Sequence, residues 1–232
     1  MPFINDPEFG EIIVTKRVRS THVRIRVDSD GQLAVTAPRY VAMPFIRKFV
    51  DSSRIKLRDM LKSSAKIDPY YDNQPIGKLH TLKIVKSGLS KDFTVKIIRQ
   101  TIIVYLPPGN SIGEKRIQDE IRTKVARVLR TEAKAYLPVR LAHFAQVYGF
   151  SYDWTRFNHN SSRWGSCSSL GTISLNIALM KLPDELIDYV LIHELCHTKH
   201  MNHSKEFWAS VERCDPDYKP HRKLIKQETP SI

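Results

Sequence analysis

The stretch that decides how this chain folds is PDELIDYVLIHELCHTKHMNH, residues 183–203. Pro183 followed by Asp184 and Glu185 marks a helix start, because proline suits the first turn and acids there meet the positive end of the helix dipole. Leu186, Ile187, Val190 and Leu191 then recur at helical spacing and form an apolar face. His193 and His197 are four residues apart, so both imidazoles project from one face and converge on a single ion. Glu194 is turned one position round the helix, where it is better placed to take a proton from water than to bind metal. In this H-E-x-x-H order zinc lowers the pKa of water toward neutrality and the glutamate acts as general base.

A third ligand has to be chosen from His200 and His203. On a straight helix His200 would stand about 10.5 Å along the axis from His193, which leaves little space for a tetrahedral site. His203 is preferred, provided that the helix ends near Met201 and Asn202, since asparagine tolerates the left-handed conformation that reverses a chain there. The resulting H-E-x-x-H-x5-H spacing matches the metzincin triad, although His200 takes the place of that pattern's glycine and no methionine follows Met201 for a Met-turn. Glu206 and Glu212 are lesser candidates. Three neutral histidines leave a fourth position open, as in a catalytic zinc site. Cys196, inside the motif, reads as a small core residue.

The rest of the chain sets limits. A length of 232 residues allows one large domain or two modest ones. The three cysteines, Cys167, Cys196 and Cys214, form no CxxC pair, which argues against a disulfide framework and for a reducing, cytoplasmic setting. No apolar run is long enough to cross a bilayer and the N-terminus has no signal-peptide pattern, so no membrane partner is expected. Net charge is +13, and residues 1–150 carry all of it, with 27 Lys and Arg against 14 Asp and Glu. Residues 151–232 carry 10 of each. Such a distribution makes nucleic acid a candidate partner of the first 150 residues, against the alternative that scattered cations merely confer solubility.

Periodicity divides the chain. His22 to Val27 alternates, residues 28–31 give a turn signal, and a second strand at 33–36 stops at Pro38. A helix from Pro44 to about Ser63 follows, with Phe45, Ile46, Phe49, Val50, Ile55, Leu57 and Leu61 as its apolar positions. Two hairpin-like runs lie at 79–85 and 92–107. From Ser111 the period becomes helical, with Ile117, Ile121, Val125, Val128 and Leu129 on one side, in one helix or a pair broken at Pro138. Asn202-His203-Ser204 marks a break and a fresh N-cap for a helix through Phe207, Trp208 and Val211. The tail after Pro216 is polar and expected to be loosely held, and no internal repeat is legible. The expected organisation is a basic, β-rich N-terminal module with a helix over 1–110, and a helical domain with a small antiparallel sheet over 111–232.

One loop raises a separate question. RWGSCSSLGTISLN, residues 163–176, places a Trp-Gly-Ser-Cys turn before a short strand. The tryptophan is expected to anchor the turn, and Thr172–Asn176 to present a free edge to an extended substrate. Arg163 and Asn176 either contact substrate or brace the loop.

RWGSC, TISLN, LPDELIDYVLIHELCH and NHSKEFW together resemble the YgjP-like (DUF45) metal-dependent hydrolases, relatives of the SprT-like and WLM zinc metallopeptidases. The resemblance is dense over residues 150–215 and weaker upstream, around IRVDSDGQLAVTAP. It implies an α+β protein with a zincin-like metallopeptidase domain, a Zn2+ ion on His193, His197 and His203, and Glu194 as base. The WLM members share the five-residue gap before the third histidine. The cysteine-rich zinc ribbon of some SprT-like proteins is not in this chain. The expected activity is hydrolysis of protein or peptide substrates, with no substrate-binding residues assigned. A zinc-dependent phosphoanhydride hydrolase ranks lower, since neither a P-loop nor an acidic Mg2+ cluster is present. A non-enzymatic nucleic-acid-binding protein ranks last.

Overall fold

The computed structural model describes residues 2–27, 32–64, 68–88 and 91–232. The turn expected at residues 28–31 lies outside them. The chain divides into two compact units, Met1–Asp68 and Pro69–Ile232, and each has its own hydrophobic cluster.

In the first unit β1 (Phe3–Asp6) and β2 (Gly10–Arg17) form an antiparallel hairpin. A second hairpin joins β3 (Arg24–Val27) to β4 (Leu33–Pro38), and β4 runs parallel to β2, giving the order β1-β2-β4-β3. The expected single helix is two, α1 (Met43–Ser52) and α2 (Arg54–Ser64), broken at Ser53. Ile46, Val50 and Leu57 join Ile12, Val14 and Val35 in the core, whereas Phe45 and Ile55 are exposed. Arg54, just after the break, donates to both carboxylate oxygens of Asp6 at 3.1 and 2.7 Å, which anchors α2 to β1.

The second unit opens with β5 (Pro75–Ile76), β6 (His80–Lys86), β7 (Thr94–Ile98) and β8 (Thr101–Leu106), in the order β5-β6-β8-β7. β5 and β6 are antiparallel, β6 and β8 parallel, β7 and β8 antiparallel. This repeats the strand order and sense of the first unit, a duplication not legible in the residues. The expected boundary at 110 falls inside this unit, because Ile76, Leu82, Ile102 and Val104 share a core with Ile117, Ile121 and Val125 of α3 (Lys115–Tyr148). α3 continues through Pro138, whose missing N–H leaves only the carbonyl of exposed Lys134 without its helical partner. Gly149, in the left-handed region at φ 65°, ends it.

Glu132 locks this helix to the sheet. Buried on α3, it accepts bonds from the backbone N–H of Lys78 (2.7 Å) and Leu79 (3.1 Å) and from His80 Nδ1 (2.6 Å). Gly77 makes this approach possible: its φ is 60°, and a Cβ there would collide with the Glu132 carboxylate.

After α3, β9 (Trp154–Asn158), β10 (Gly165–Cys167) and β11 (Thr172–Asn176) form a sheet in the order β10-β11-β9. The expected antiparallel sheet is in fact mixed. β10 and β11 form a hairpin, but β9 runs parallel to β11 because the chain returns through the 159–164 loop before β10 begins. A short 3-10 turn (Ile177–Lys181) leads into α4 (Asp184–Cys196), then α5 (Lys205–Cys214) and α6 (Tyr218–Ile225). The tail expected to be loose is held. Tyr218, Ile225 and Ile232 are buried, and the Ile232 and Ser231 carbonyls accept from Arg122 (2.8 Å) and Lys181 (2.8 Å). No helix of the described residues is long and apolar enough to cross a membrane.

Candidate metal centre

α4 begins where its proline and acids indicate and stops at Cys196, with His197 as its C-cap. The last turn is closed by main-chain bonds: Thr198 N–H donates to Leu195 O, and the N–H groups of Lys199 and His200 donate to Cys196 O. The chain therefore leaves the helix axis several residues earlier than expected. Asn202 takes no part through a left-handed conformation, since among the described residues only Asn73 and Arg99 have positive φ apart from glycines. Ser204 caps α5, its hydroxyl accepting from Phe207 N–H at 3.4 Å.

This short return brings His203 back over α4. Its Nε2 lies 3.2 Å from His193 Nε2, and one ring nitrogen from each of His193, His197 and His203 lies within 4.8 Å of the others. The His200 ring is outside this group, but its carbonyl accepts from His197 Nδ1–H at 3.0 Å. That bond fixes the His197 tautomer and leaves its Nε2 lone pair available. Glu206 and Glu212 are exposed on α5 and outside the cluster. α5 supplies its wall instead: Phe207 stacks on His197 at 4.5 Å between ring centroids, and Trp208 stacks on His203 at 5.5 Å.

Electrostatics favour the ligating form. Burial, then the neighbouring His197, His203 and Arg222, pushes His193 down to about 3. Burial also lowers His197, against the bond to the His200 carbonyl. Both rings are thus neutral at pH 7, with lone pairs to offer a cation. Buried His193 Nδ1 has no hydrogen-bond partner. Facing ring nitrogens 3.2 Å apart are satisfied by a cation shared between them, and three imidazoles suit zinc and its neighbours in the first transition row. The residues fit a divalent metal.

Glu194 is 5% exposed, and its Oε2 is buried without a partner. Burial pushes its carboxyl up to about 8, with the charge of Arg163 acting in the opposite sense. β10 lies directly against it. A Cβ on Gly165 would meet Glu194 Cγ and Oε1 at 2.7 Å and Cδ at 2.9 Å. This answers the question posed by Trp-Gly-Ser-Cys: glycine is needed there because strand and carboxylate share one space. Cys167, two residues on, has its thiol pushed up to about 11 by burial and by Glu194. Cys196 is fully buried, with its Sγ 3.6 Å from Ser210 Oγ.

Two expectations for the loop are resolved. Thr172–Asn176 is not a free edge, because β10 pairs with one side of it and β9 with the other; β10 is the outer strand beside α4. Asn176 braces the loop: fully buried, it donates to the carbonyls of Asn160 (2.6 Å) and Arg163 (2.9 Å) and accepts from Ala178 N–H (3.0 Å). Arg163 is exposed. The closeness of Gly165 to Glu194, the His200 carbonyl and the aromatic wall of α5 were all missed by sequence reasoning. Only the Phe207-Trp208 pair carried a local signal.

No curated protein matches the chain. Among solved structures it is similar to the metallopeptidase zymogen of Pyrococcus abyssi abylysin, at 30% identity over 39% of this chain and 91% of that one, with a TM-score of 0.36. It is also similar to the metallopeptidase zymogen of Methanocaldococcus jannaschii jannalysin, at 18% identity over 39% and 93% of the two chains, with a TM-score of 0.35. A family model described as "YgjP-like, metallopeptidase domain" matches residues 21–228, nearly the whole chain. The chain with this histidine cluster belongs to the YgjP-like metallopeptidase family.

Proposed function

We propose that this protein is a zinc-dependent peptidase with a zincin-like catalytic domain, in which His193, His197 and His203 hold the metal and Glu194 is the general base. The convergence of three imidazole nitrogens within 4.8 Å beside a buried, unpartnered carboxylate carries this reading. A bound zinc ion supplies Lewis acidity toward a peptide carbonyl and makes water more acidic. The chain's own groups do the rest. Glu194 is the group that would accept a proton from the attacking water and pass it to the leaving amine; burial raises its carboxyl, and a cation held on the three histidines would favour the ionised form that a base requires. The His200 carbonyl keeps His197 oriented, and Phe207 and Trp208 limit the freedom of the His197 and His203 rings. β10, outer strand of its sheet and adjacent to Glu194, is suited to hold an extended substrate by strand addition. The three free cysteines are consistent with a reducing, cytoplasmic setting.

The test is metal analysis of the purified chain. Stoichiometric zinc is expected in the wild type and its loss in His193→Ala and His203→Ala; equal zinc in all three proteins contradicts the ligand set.

A nucleic-acid association has separate support in the first unit. Arg17, Arg19, Arg24 and Arg26 line one cavity of about 450 Å3. None of them is ion-paired among the described residues. Four uncompensated guanidinium groups suit phosphates, and binding that weakens steeply with salt is expected. Unchanged DNA affinity in Arg24→Glu with Arg26→Glu would exclude this contact.

A further inference from the structure

β7 is the last strand of its sheet, so one side of its backbone has no strand neighbour among the described residues. Two adjoining cavities, of about 560 and 520 Å3, lie along it. Residues 95–99 line the first, opposite Lys124, Arg127, Val128 and Thr131 of α3. Residues 93–95 line the second, opposite a preceding stretch of the helix from Arg116 to Lys124. Val95 and Lys124 belong to both, so the two form one groove. Side chains alternate across a strand, so the four consecutive lining residues of β7, 95–98, put the backbone edge in the groove wall, which His80 of β6 also joins. Helix positions 124, 127, 128 and 131 share one face. The strand wall, β7, is about 17 Å long, and residues 116–131 of the helix run past it for about 22 Å.

The groove has a definite chemistry. Val95 and Val128 are buried at its floor. Lys96, Arg99 and Arg127 are exposed in its walls, and none of them has a carboxylate partner among the described residues. The carboxylates at the other end are already engaged, Asp119 with Arg122 at 2.9 Å and Glu120 with Lys124 at 2.9 Å. Among the described residues Arg99 is one of two non-glycines with positive φ, at 53°. Glycine would adopt that conformation at less cost, yet the groove keeps a cation there.

We propose that this groove binds an extended acidic segment of a partner protein, which adds to β7 as a further strand, independently of the metal centre. An open strand edge presents both N–H and C=O groups, which a peptide backbone satisfies and a phosphodiester, having only acceptors, does not. Single-stranded nucleic acid also requires aromatic faces for stacking. Here Phe93, the phenyl ring in the wall, is covered by Arg116 at 5.1 Å. A segment alternating apolar and acidic residues would set the former on Val95 and Val128 and the latter on the opposite face of β7, against Lys96; Arg127, on α3 beside Val128, adds to the positive field along the groove.

The experiment measures fluorescence anisotropy of a labelled seven-residue peptide of alternating Glu and Val, titrated with the full chain. Saturable binding is expected. Lys96→Glu with Arg127→Glu should weaken it about tenfold or more. Thr131→Trp, which narrows the groove without changing charge, should weaken it too, and carries the test if the charge variant melts early. Arg39→Glu with Arg47→Glu, an equal charge change at exposed sites of the first unit, should leave it unchanged. A peptide with a central proline should bind less well, having lost a backbone donor. Absent saturable binding, equal binding of the proline peptide, an equal loss in the Arg39 and Arg47 variant, or displacement by oligothymidylate at lower concentration than by unlabelled peptide would each overturn the proposal.

Discussion

Glu194 sits where a charged carboxylate is costly, and two features of its surroundings are testable at the level of single atoms. Its contact with Gly165 leaves no space for a methyl group. Gly165→Ala should cost about 1–3 kcal/mol, as over-packing does, and should lower hydrolysis at least tenfold by displacing the carboxylate. Melting curves and kcat on one peptide substrate check this, and wild-type values in both would show that the contact is unimportant. The second feature is the carboxyl's folded-state pKa of about 8, above its ordinary 4.5. Its contribution to stability is therefore full below pH 4.5 and lost as pH rises through 8. Metal-free protein should lose stability across that window, and Glu194→Gln should flatten the trend in Tm measured with chelator present. The pairing of His193 with His197 was legible because H-E-x-x-H is a local pattern on one helix face. Gly165 was not, because nothing in RWGSC states which distant side chain it will meet.

At the level of elements, the same division between local and distant information recurs. The start of α4 and the Ser204 cap of α5 could be read from the residues, since both are made within one turn of chain. The end of α4 could not, because main-chain bonds to Leu195 and Cys196 close it before any punctuating residue. Thr172–Asn176 was read as an outer strand, yet β9 joins its far side by a parallel pairing that no neighbouring residue announces. Likewise, the apolar positions Tyr218 and Ile225 of α6 are too sparse for a periodicity argument, though both are buried. The lock between α3 and the β5–β6 turn gives an element-scale prediction. Glu132→Ala removes the acceptor for two backbone N–H groups and for His80 Nδ1, at a cost of about 2–3 kcal/mol. A Tm within a degree of wild type would show that these donors find other partners.

The whole molecule consists of two units that repeat one four-stranded topology, each followed by helices. α+β character was legible from alternating and helical periods, but the duplication was not, because strand order depends on pairing between segments far apart in the chain. The boundary expected at 110 marked a change of period, whereas a compact unit is defined by a shared core, and the core of residues 69–232 takes in β5–β8. The fragment 69–232 should accordingly unfold cooperatively and bind zinc in the same molar ratio as is measured for the full chain; a non-cooperative melt would show that its core does not stand alone. The measurement that tests the central claim most directly is peptide hydrolysis by zinc-loaded Glu194→Gln, with metal content determined on the same sample. Zinc retained with hydrolysis reduced by about 10²-fold or more is the predicted result. Wild-type hydrolysis by a variant that keeps its zinc would contradict it.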